Sequence, residues 1–223
     1  VLDRLGHVPF SGMSPPRLQV MDRVATLSRI ALDMDVKAVV VSAGALIDRV
    51  VPRRVLANHV ELLEVGERLD RSGLLSFLVD GGYHQTPSVE DPGTFATRGG
   101  IIDIYAPHFD HPVRIDLWGD VVDSIRFFDP TSQRSVHEVR ELTLGPARDI
   151  LFTEDTRRLA RQRILALADA LDVPSSRAQA AADDIESGIL GVGMEDLLPA
   201  FYETLDPLID HLPEDALWIV DDP

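Results

Sequence analysis

The clearest alternation of hydrophobic and polar side chains lies near the middle of the chain. The aliphatic positions are Val113, Ile115 and Leu117, and the positions between them hold Arg114, Asp116 and Trp118. Because successive side chains of a β-strand point to opposite faces, this pattern predicts a strand with one aliphatic and one polar face. Gly119-Asp120 predicts a tight turn into a second strand, Val121 to Phe128. We therefore expect a β-hairpin here.

A third strand is predicted just before this hairpin, over Ile101 to Tyr105, directly after the glycine pair Gly99-Gly100. In a hairpin with a two-residue turn, Asp116 would lie opposite Asp123, and like charges that face each other destabilise a strand pair. We therefore expect a β-bulge or a longer turn in the hairpin.

Helices are predicted on both sides of this β-rich stretch. Hydrophobic residues at helical spacing give the first helix its apolar face: Val20, Val24, Leu27 and Ala31. Three further helices have a recognisable start, at Asp70, Thr153 and Pro174. The glycines Gly81-Gly82 and Gly188 predict where two of these helices end.

Short apolar runs predict buried strands over Ala38 to Val41 and Ala216 to Val220. Val60 to Leu63 predicts a further strand. Ala43 to Val51 predicts a short helix, and the segment from Arg53 to Asn58 is typical of a linker. This order of elements predicts an α/β fold with two domains. An α/β domain of residues 1–52 and 147–223 is interrupted by an inserted, β-rich α+β domain of residues 53–146.

Composition is that of an ordinary globular protein, with 45% hydrophobic and 26% charged residues. The chain contains no cysteine, which excludes disulfides and thiolate chemistry, and its longest apolar run is too short to span a bilayer. We expect a cytoplasmic protein without a membrane contact. Because the sequence starts at Val1 without an initiator methionine, we also expect it to be a fragment of a longer protein.

The net charge argues against binding of duplex DNA, and the position of the single lysine argues against binding of ATP. The formal net charge of −16 would repel duplex DNA over most of the surface. Lys37, the single lysine, has no glycine-rich loop before it, so a Gly-x-x-x-x-Gly-Lys phosphate loop is excluded. We expect a chain without a cofactor that neither binds nor hydrolyses ATP.

Several groups have the residue types of a catalytic or metal site, but none has the full pattern. Asp221 and Asp222 are interpreted as a solvated strand end, and His108 and His111 as surface residues, because two histidines in a loop lack a third zinc ligand. Ser42 lacks a nucleophile elbow, and Gly191-Val192-Gly193 is too short for a dinucleotide-binding motif. No catalytic residue and no metal site is predicted.

Trp118 is unusual because it falls on the polar face of the predicted hairpin. Two interpretations are open. Trp118 can cover the end of the hairpin, or it can join Arg98 and Arg114 in anchoring a partner, because tryptophan and arginine are enriched in binding hot spots. From the residues alone, the packing role is the more frequent one.

Long motifs resemble the module shared by the excision-repair helicase UvrB and the bacterial transcription-repair coupling factor (Mfd). They include FATRGGIIDIY, PVRIDLWGDVVDSIRFFDPTSQRS and GVGMEDLLPAFYE, and the similarity covers nearly the whole chain. UvrB has an aromatic-rich DNA-clamping hairpin upstream of the RGG segment. Between Ser42 and the FATRGG motif, this chain has only Phe77 and Tyr83 as aromatics, which is closer to the coupling factor.

The resemblance implies a helicase-like α/β domain that is incomplete, and a non-catalytic module that binds the damage-recognition ATPase UvrA. It also implies an autoinhibitory contact with the C-terminal part of the same protein. RNA polymerase and DNA would be bound, and ATP hydrolysed for translocation, by other domains of the whole protein. The UvrA contacts fall on Arg98, Arg114 and Trp118, the last where the family usually has phenylalanine.

Replacing any of these three residues with alanine is expected to weaken UvrA binding and to leave the fold intact. The alternative is a fragment of a UvrB-type DNA-dependent ATPase, whose phosphate loop would lie before Val1. A third interpretation is an α/β scaffold of unrelated function.

Overall fold

A computed structural model describes residues 2, 9–11, 15–34, 36–189 and 193–221. The described residues contain the α-helices α1 (Arg17–Ala31), α2 (Ala43–Leu46), α3 (Arg53–Asn58), α4 (Arg71–Asp80), α5 (Glu154–Ala170), α6 (Ser175–Glu186) and α7 (Leu198–Phe201), and the 3₁₀ turns Met194–Leu197 and Leu208–His211. Their strands are β1 (Arg49–Val50), β2 (Glu61–Glu64), β3 (His84–Gln85), β4 (Thr94–Arg98), β5 (Ile101–Tyr105), β6 (Val113–Trp118), β7 (Val121–Phe128), β8 (Ser135–Val139), β9 (Glu141–Leu144) and β10 (Asp206–Pro207). The protein is thus a mixed α/β fold.

A six-stranded sheet in the order β3-β4-β5-β6-β7-β8 forms the centre of the β-rich part. Only the first pair of strands, β3 and β4, is parallel, and the other neighbours are antiparallel. The predicted hairpin is confirmed as β6 and β7. Two further two-stranded sheets pair β2 with β9 and β1 with β10.

The hairpin contains the irregularity that its charges predicted. Asp116 pairs with Ser124, whereas the next residue of β6, Leu117, pairs with Val122, so that β7 has one extra residue. That residue is Asp123, which therefore does not face Asp116. The bulge removes the like-charge pair, and Ser124 Oγ instead donates a 3.0 Å hydrogen bond to Asp116 Oδ2.

The aliphatic face of the sheet is buried in a hydrophobic cluster that includes side chains of α4. The cluster contains Leu74, Leu78, Phe95, Ile102, Ile104, Val113, Ile115 and Ile125. Asp70 caps α4 as predicted, because its Oδ1 accepts a 3.1 Å hydrogen bond from the backbone N–H of Gly73. The buried face fixes which side chains of the sheet remain available on the other face.

A second hydrophobic cluster joins the first helix to the helices that follow the sheet. Its members include Leu27 and Ala31 of α1, Ala160, Ile164 and Ala168 of α5, and Ala178 and Ala182 of α6. The predicted starts of α5 and α6 are confirmed, with Thr153 Oγ1 accepting a 3.3 Å hydrogen bond from the backbone N–H of Thr156.

Two predicted strands are absent from the described residues. Within 38–41 only Val41 pairs, in a parallel bridge to Leu2, and the side chain of Val40 is exposed. Residues 216–220 have no strand pairing, and Leu217, Ile219 and Val220 are exposed. Both runs are apolar enough for a buried strand, but in the described part of the chain no strand covers either of them.

The segment of residues 43–58 also differs from the prediction. The helix that begins at Ala43 ends at Leu46 instead of continuing to Val51, because the chain then turns into β1. The predicted linker is the helix α3, which buries Leu56 completely.

Of the predicted loop 191–193, residues 191 and 192 lie outside the described residues. None of the described helices is both long and apolar enough to cross a bilayer.

Candidate functional site

The polar face of the six-stranded sheet brings the three predicted partner-binding residues together. On this face Arg98 of β4 pairs with Ile101 of β5, and Ile101 pairs with Asp116 of β6. Residues that pair across strands lie on the same face, so Arg98 shares the face of Arg114 and Trp118. At about 4.8 Å between strands, Arg98 lies about 10 Å from β6.

Arg114 is held by contacts within the sheet. Its Nε donates a 2.7 Å hydrogen bond to Asp103 Oδ1, and its Nη2 donates a 2.8 Å hydrogen bond to Asp103 Oδ2. The guanidinium group also lies over the ring of Phe128, 4.6 Å from its centroid. The hydrogen bond to Asp103 raises the pKa of Arg114, so the side chain is charged at any physiological pH.

A third contact to Arg114 comes from the turn that follows β7. Gln133 Oε1 accepts a 3.0 Å hydrogen bond from Arg114 Nη2, while Gln133 Nε2 donates one of 2.8 Å to Pro130 O. The turn is closed by Asp129, whose Oδ1 accepts a 2.6 Å hydrogen bond from the backbone N–H of Ser132. The DPTSQR motif thus folds back onto the polar face of the sheet.

Asp103 and Gln133 were not predicted as site residues. Asp103 lies directly opposite Arg114 in the register of β5 and β6, so aligning the two predicted strands would have identified it. Gln133 has a left-handed backbone conformation in a turn, with φ of 59°. No periodicity in the sequence indicates that its side chain reaches Arg114.

Arg98 has fewer contacts than Arg114. The residue is exposed at the end of β4, and its Nη2 donates a 2.8 Å hydrogen bond to Pro87 O. Among the described residues no carboxylate pairs with Arg98. The Nε and Nη1 groups therefore remain available to a ligand from outside the sheet.

Trp118 ends β6 with 84% of its surface exposed. That exposure excludes the packing role, because a side chain that covered the end of the hairpin would itself be largely buried. Apart from the adjacent residues, a β-carbon at Gly99 or Gly119 would meet no atom within 4 Å, so both turns border open space. Gly100 is closely approached instead, because its carbonyl accepts a 2.7 Å hydrogen bond from the backbone N–H of Leu117.

Two further charged residues of this face, Asp116 and Arg126, are paired with each other. Asp116 forms an ion pair with Arg126 and accepts the hydrogen bond from Ser124. The charges of Asp116 and Arg126 therefore offset each other, and Asp116 lies between Arg114 and Trp118 along β6. What the face offers to a ligand is one open guanidinium group, one largely enclosed guanidinium group and an exposed aromatic ring. This combination suits recognition of an acidic protein surface.

The loop histidines do not form a ligand cluster. Among the described residues no three His, Cys, Asp or Glu side chains are placed to hold a metal ion. His108 is buried, contrary to the prediction that it lies at the surface, and its Nε2 lies 3.1 Å from Thr143 O. It is buried because it joins the loop before β6 to strand β9. Burial lowers the pKa of His108 below its ordinary value.

Comparisons with known proteins agree with the motifs. Residues 62–150 match the family described as the UvrB interaction domain. The transcription-repair-coupling factor of Myxococcus xanthus is 38% identical over 221 residues, which are 97% of this chain and 18% of that protein. The factor of Escherichia coli is 29% identical over 213 residues, 95% of this chain and 18% of that protein. That of Bacillus subtilis is 32% identical over 196 residues, 82% of this chain and 17% of that protein. The chain therefore spans less than a fifth of the length of these relatives.

Proposed function

Because this chain belongs to the transcription-repair-coupling factor family through its UvrB-homology module, we propose that it is a non-catalytic interaction module that binds UvrA. In the whole protein this contact would recruit UvrA to a stalled RNA polymerase, and so start nucleotide-excision repair there. The contact residues are Arg98, Arg114 and Trp118.

The exposed end of the polar face is the observation that carries this proposal. Trp118 is 84% exposed, and Arg98 lies on the same face with no carboxylate partner among the described residues. All three contact residues lie within residues 62–150, which match the UvrB interaction domain. Tryptophan and arginine are the residue types most enriched in binding hot spots, and both are exposed here on one face.

The proposed architecture agrees with most members of the two hydrophobic clusters; Leu56, Met21 and Ala147 pack in the cluster of the other proposed domain. Residues 53–146 would form the inserted UvrA-binding domain, and residues 1–52 and 147–223 would belong to a helicase-like α/β domain. Support comes from the membership of the clusters, since β-sheet and α4 side chains dominate one and α5 to α7 side chains the other. We further propose that the C-terminal part of the whole protein covers this module in an autoinhibited state, and that other domains bind RNA polymerase and DNA.

Isothermal titration calorimetry with purified UvrA tests the proposed site. Arg98→Ala and Trp118→Ala are each expected to weaken binding by about 2 kcal/mol, or about thirtyfold, which is the range of an interface hot spot. Neither change should alter the thermal unfolding midpoint, because both side chains are exposed.

Matched controls remove the same residue types at other places. Arg158 of α5 is exposed with its partner Asp155, and Trp218 lies in the C-terminal segment, so Arg158→Ala and Trp218→Ala should bind UvrA like the unchanged chain. Unchanged affinity of both Arg98→Ala and Trp118→Ala would contradict the proposed site.

A further inference from the structure

The guanidinium group of Arg114 has only one nitrogen left for a partner. Of its five N–H donors, one on Nε and two on Nη2 are used by Asp103 and Gln133. Among the described residues none accepts a hydrogen bond from Nη1. The Nε–Nη2 edge, which could otherwise form a bidentate pair of hydrogen bonds with a carboxylate of a partner, is therefore already occupied within the sheet.

Three contacts from different elements fix this arrangement. Asp103 of β5 holds one edge and is itself almost fully buried, with 4% of its side chain exposed. Phe128 of β7 lies against the flat face of the group, and Gln133 reaches it from the following turn. A side chain restrained in this way loses little rotamer freedom when a partner binds, which favours affinity.

Resting on the proposed function, we infer that Asp103 and Gln133 are positioning residues for UvrA binding, which hold Arg114 so that its Nη1 edge alone faces the partner. The carboxylate of Asp103 offsets most of the charge of Arg114. The acceptor on UvrA opposite Arg114 is therefore a neutral oxygen, such as a backbone carbonyl or a side-chain amide. The carboxylate of UvrA meets Arg98, whose Nε and Nη1 donors are open.

Gln133 allows the positioning role to be tested without disturbing the buried ion pair. Gln133→Asn keeps a residue that tolerates the left-handed conformation, but its side chain is one methylene too short to reach Arg114. Gln133→Glu keeps the length and the acceptor oxygen for Arg114, and loses only the Nε2 donor to Pro130 O. Ser132→Ala, in the same turn, serves as the matched control.

Titration of UvrA into the full chain should show about fivefold weaker binding for Gln133→Asn, because Arg114 then keeps rotamer freedom that binding must remove. Gln133→Glu should bind within about twofold of the unchanged chain, and so should Ser132→Ala, since neither loses the hydrogen bond to Arg114. In nuclear magnetic resonance spectra, the Nε–H signal of Arg114 should persist in Gln133→Asn, because Asp103 still accepts from Nε, and the Nη signals should broaden.

Arg98→Ala separates this inference from the function on which it rests. Weak binding by Arg98→Ala together with unchanged binding by Gln133→Asn would overturn the positioning role and leave the UvrA site in place. Equal losses for Gln133→Asn and Gln133→Glu would also overturn it, because the loss would then come from the turn itself. Unchanged binding by Arg98→Ala and Gln133→Asn alike would overturn the proposed site.

Discussion

Arg98 and Arg114 lie on one face of the sheet, yet their contributions to the protein differ. Arg98 donates one hydrogen bond to a backbone carbonyl, whereas Arg114 neutralises the buried carboxylate of Asp103. Because Arg114 pairs with a buried carboxylate, we now expect alanine to leave the fold intact at Arg98 but to destabilise it at Arg114. An uncompensated buried charge costs far more than an exposed side chain contributes.

Arg114→Ala is expected to lower the free energy of unfolding by about 3 kcal/mol or more, because it leaves Asp103 charged, buried and unpaired. Arg98→Ala should change it by no more than about 0.5 kcal/mol. Urea denaturation measures both values. The double variant Asp103→Ala and Arg114→Ala should recover part of the loss. Equal stability of Arg98→Ala and Arg114→Ala would mean that the ion pair does not form.

The sequence predicted the face of the site better than its contacts. Alternation along β6 placed Arg114 and Trp118 together, since side-chain direction in a strand depends only on position. The pairing of Arg114 with Asp103 depends in addition on the register of two strands, and its contact with Gln133 depends on a turn. Neither leaves a periodic pattern in the sequence.

At the scale of secondary-structure elements, features that depend on the local sequence were predicted correctly, whereas the presence of a neighbouring strand could not be predicted. Asp70 and Thr153 cap their helices as predicted, because a cap needs only its own turn of backbone. The bulge opposite Asp116 was also predictable, because both charges belong to one hairpin. A buried strand over 38–41 or 216–220 would require strands beside it, which the composition of these segments cannot reveal.

His108 joins two elements and should make the stability of the fold depend on pH. Its Nε2 is placed to donate to Thr143 O, while Nδ1 is buried with no partner among the described residues. A second proton would have to go on Nδ1, and burial accordingly lowers the pKa of His108 below its ordinary value of 6.5. The unfolded chain takes up that proton more readily, so stability is fully present above about pH 6.5 and is lost as the pH falls below it.

Urea denaturation at about pH 7.5 and about pH 5.5 measures this effect. His108→Gln can still donate to Thr143 O but cannot be protonated, so it should lose less stability on acidification than the unchanged chain. Part of the pH dependence should remain, because burial also lowers the pKa values of His59 and His211. An identical loss in His108→Gln and the unchanged chain would contradict this role.

At the scale of the whole molecule, charge restricts what the protein can bind. The net charge of −16 is distributed over a surface on which several arginines already pair with carboxylates. Arg98 donates one hydrogen bond to a backbone carbonyl and has no carboxylate partner among the described residues. A single site of this kind suits one acidic group of a protein partner and not a run of phosphates.

Duplex DNA should therefore bind the chain no more tightly than non-specifically, with a Kd of about 10⁻⁴ to 10⁻⁶ M at physiological salt. Fluorescence anisotropy of a labelled duplex, repeated at several salt concentrations, measures this affinity. Nanomolar binding that falls steeply with added salt would contradict this expectation.

The exposure of Trp118 has an optical consequence. The chain has two tryptophans, and Trp218→Phe would leave Trp118 as the single indole emitter. A water-exposed indole emits at long wavelength, and its emission moves to the blue when a protein surface covers it. Trp118 at the tip of the hairpin would therefore be an intrinsic fluorescent reporter. Binding and dissociation of a partner at this place could be followed in real time without attaching a dye.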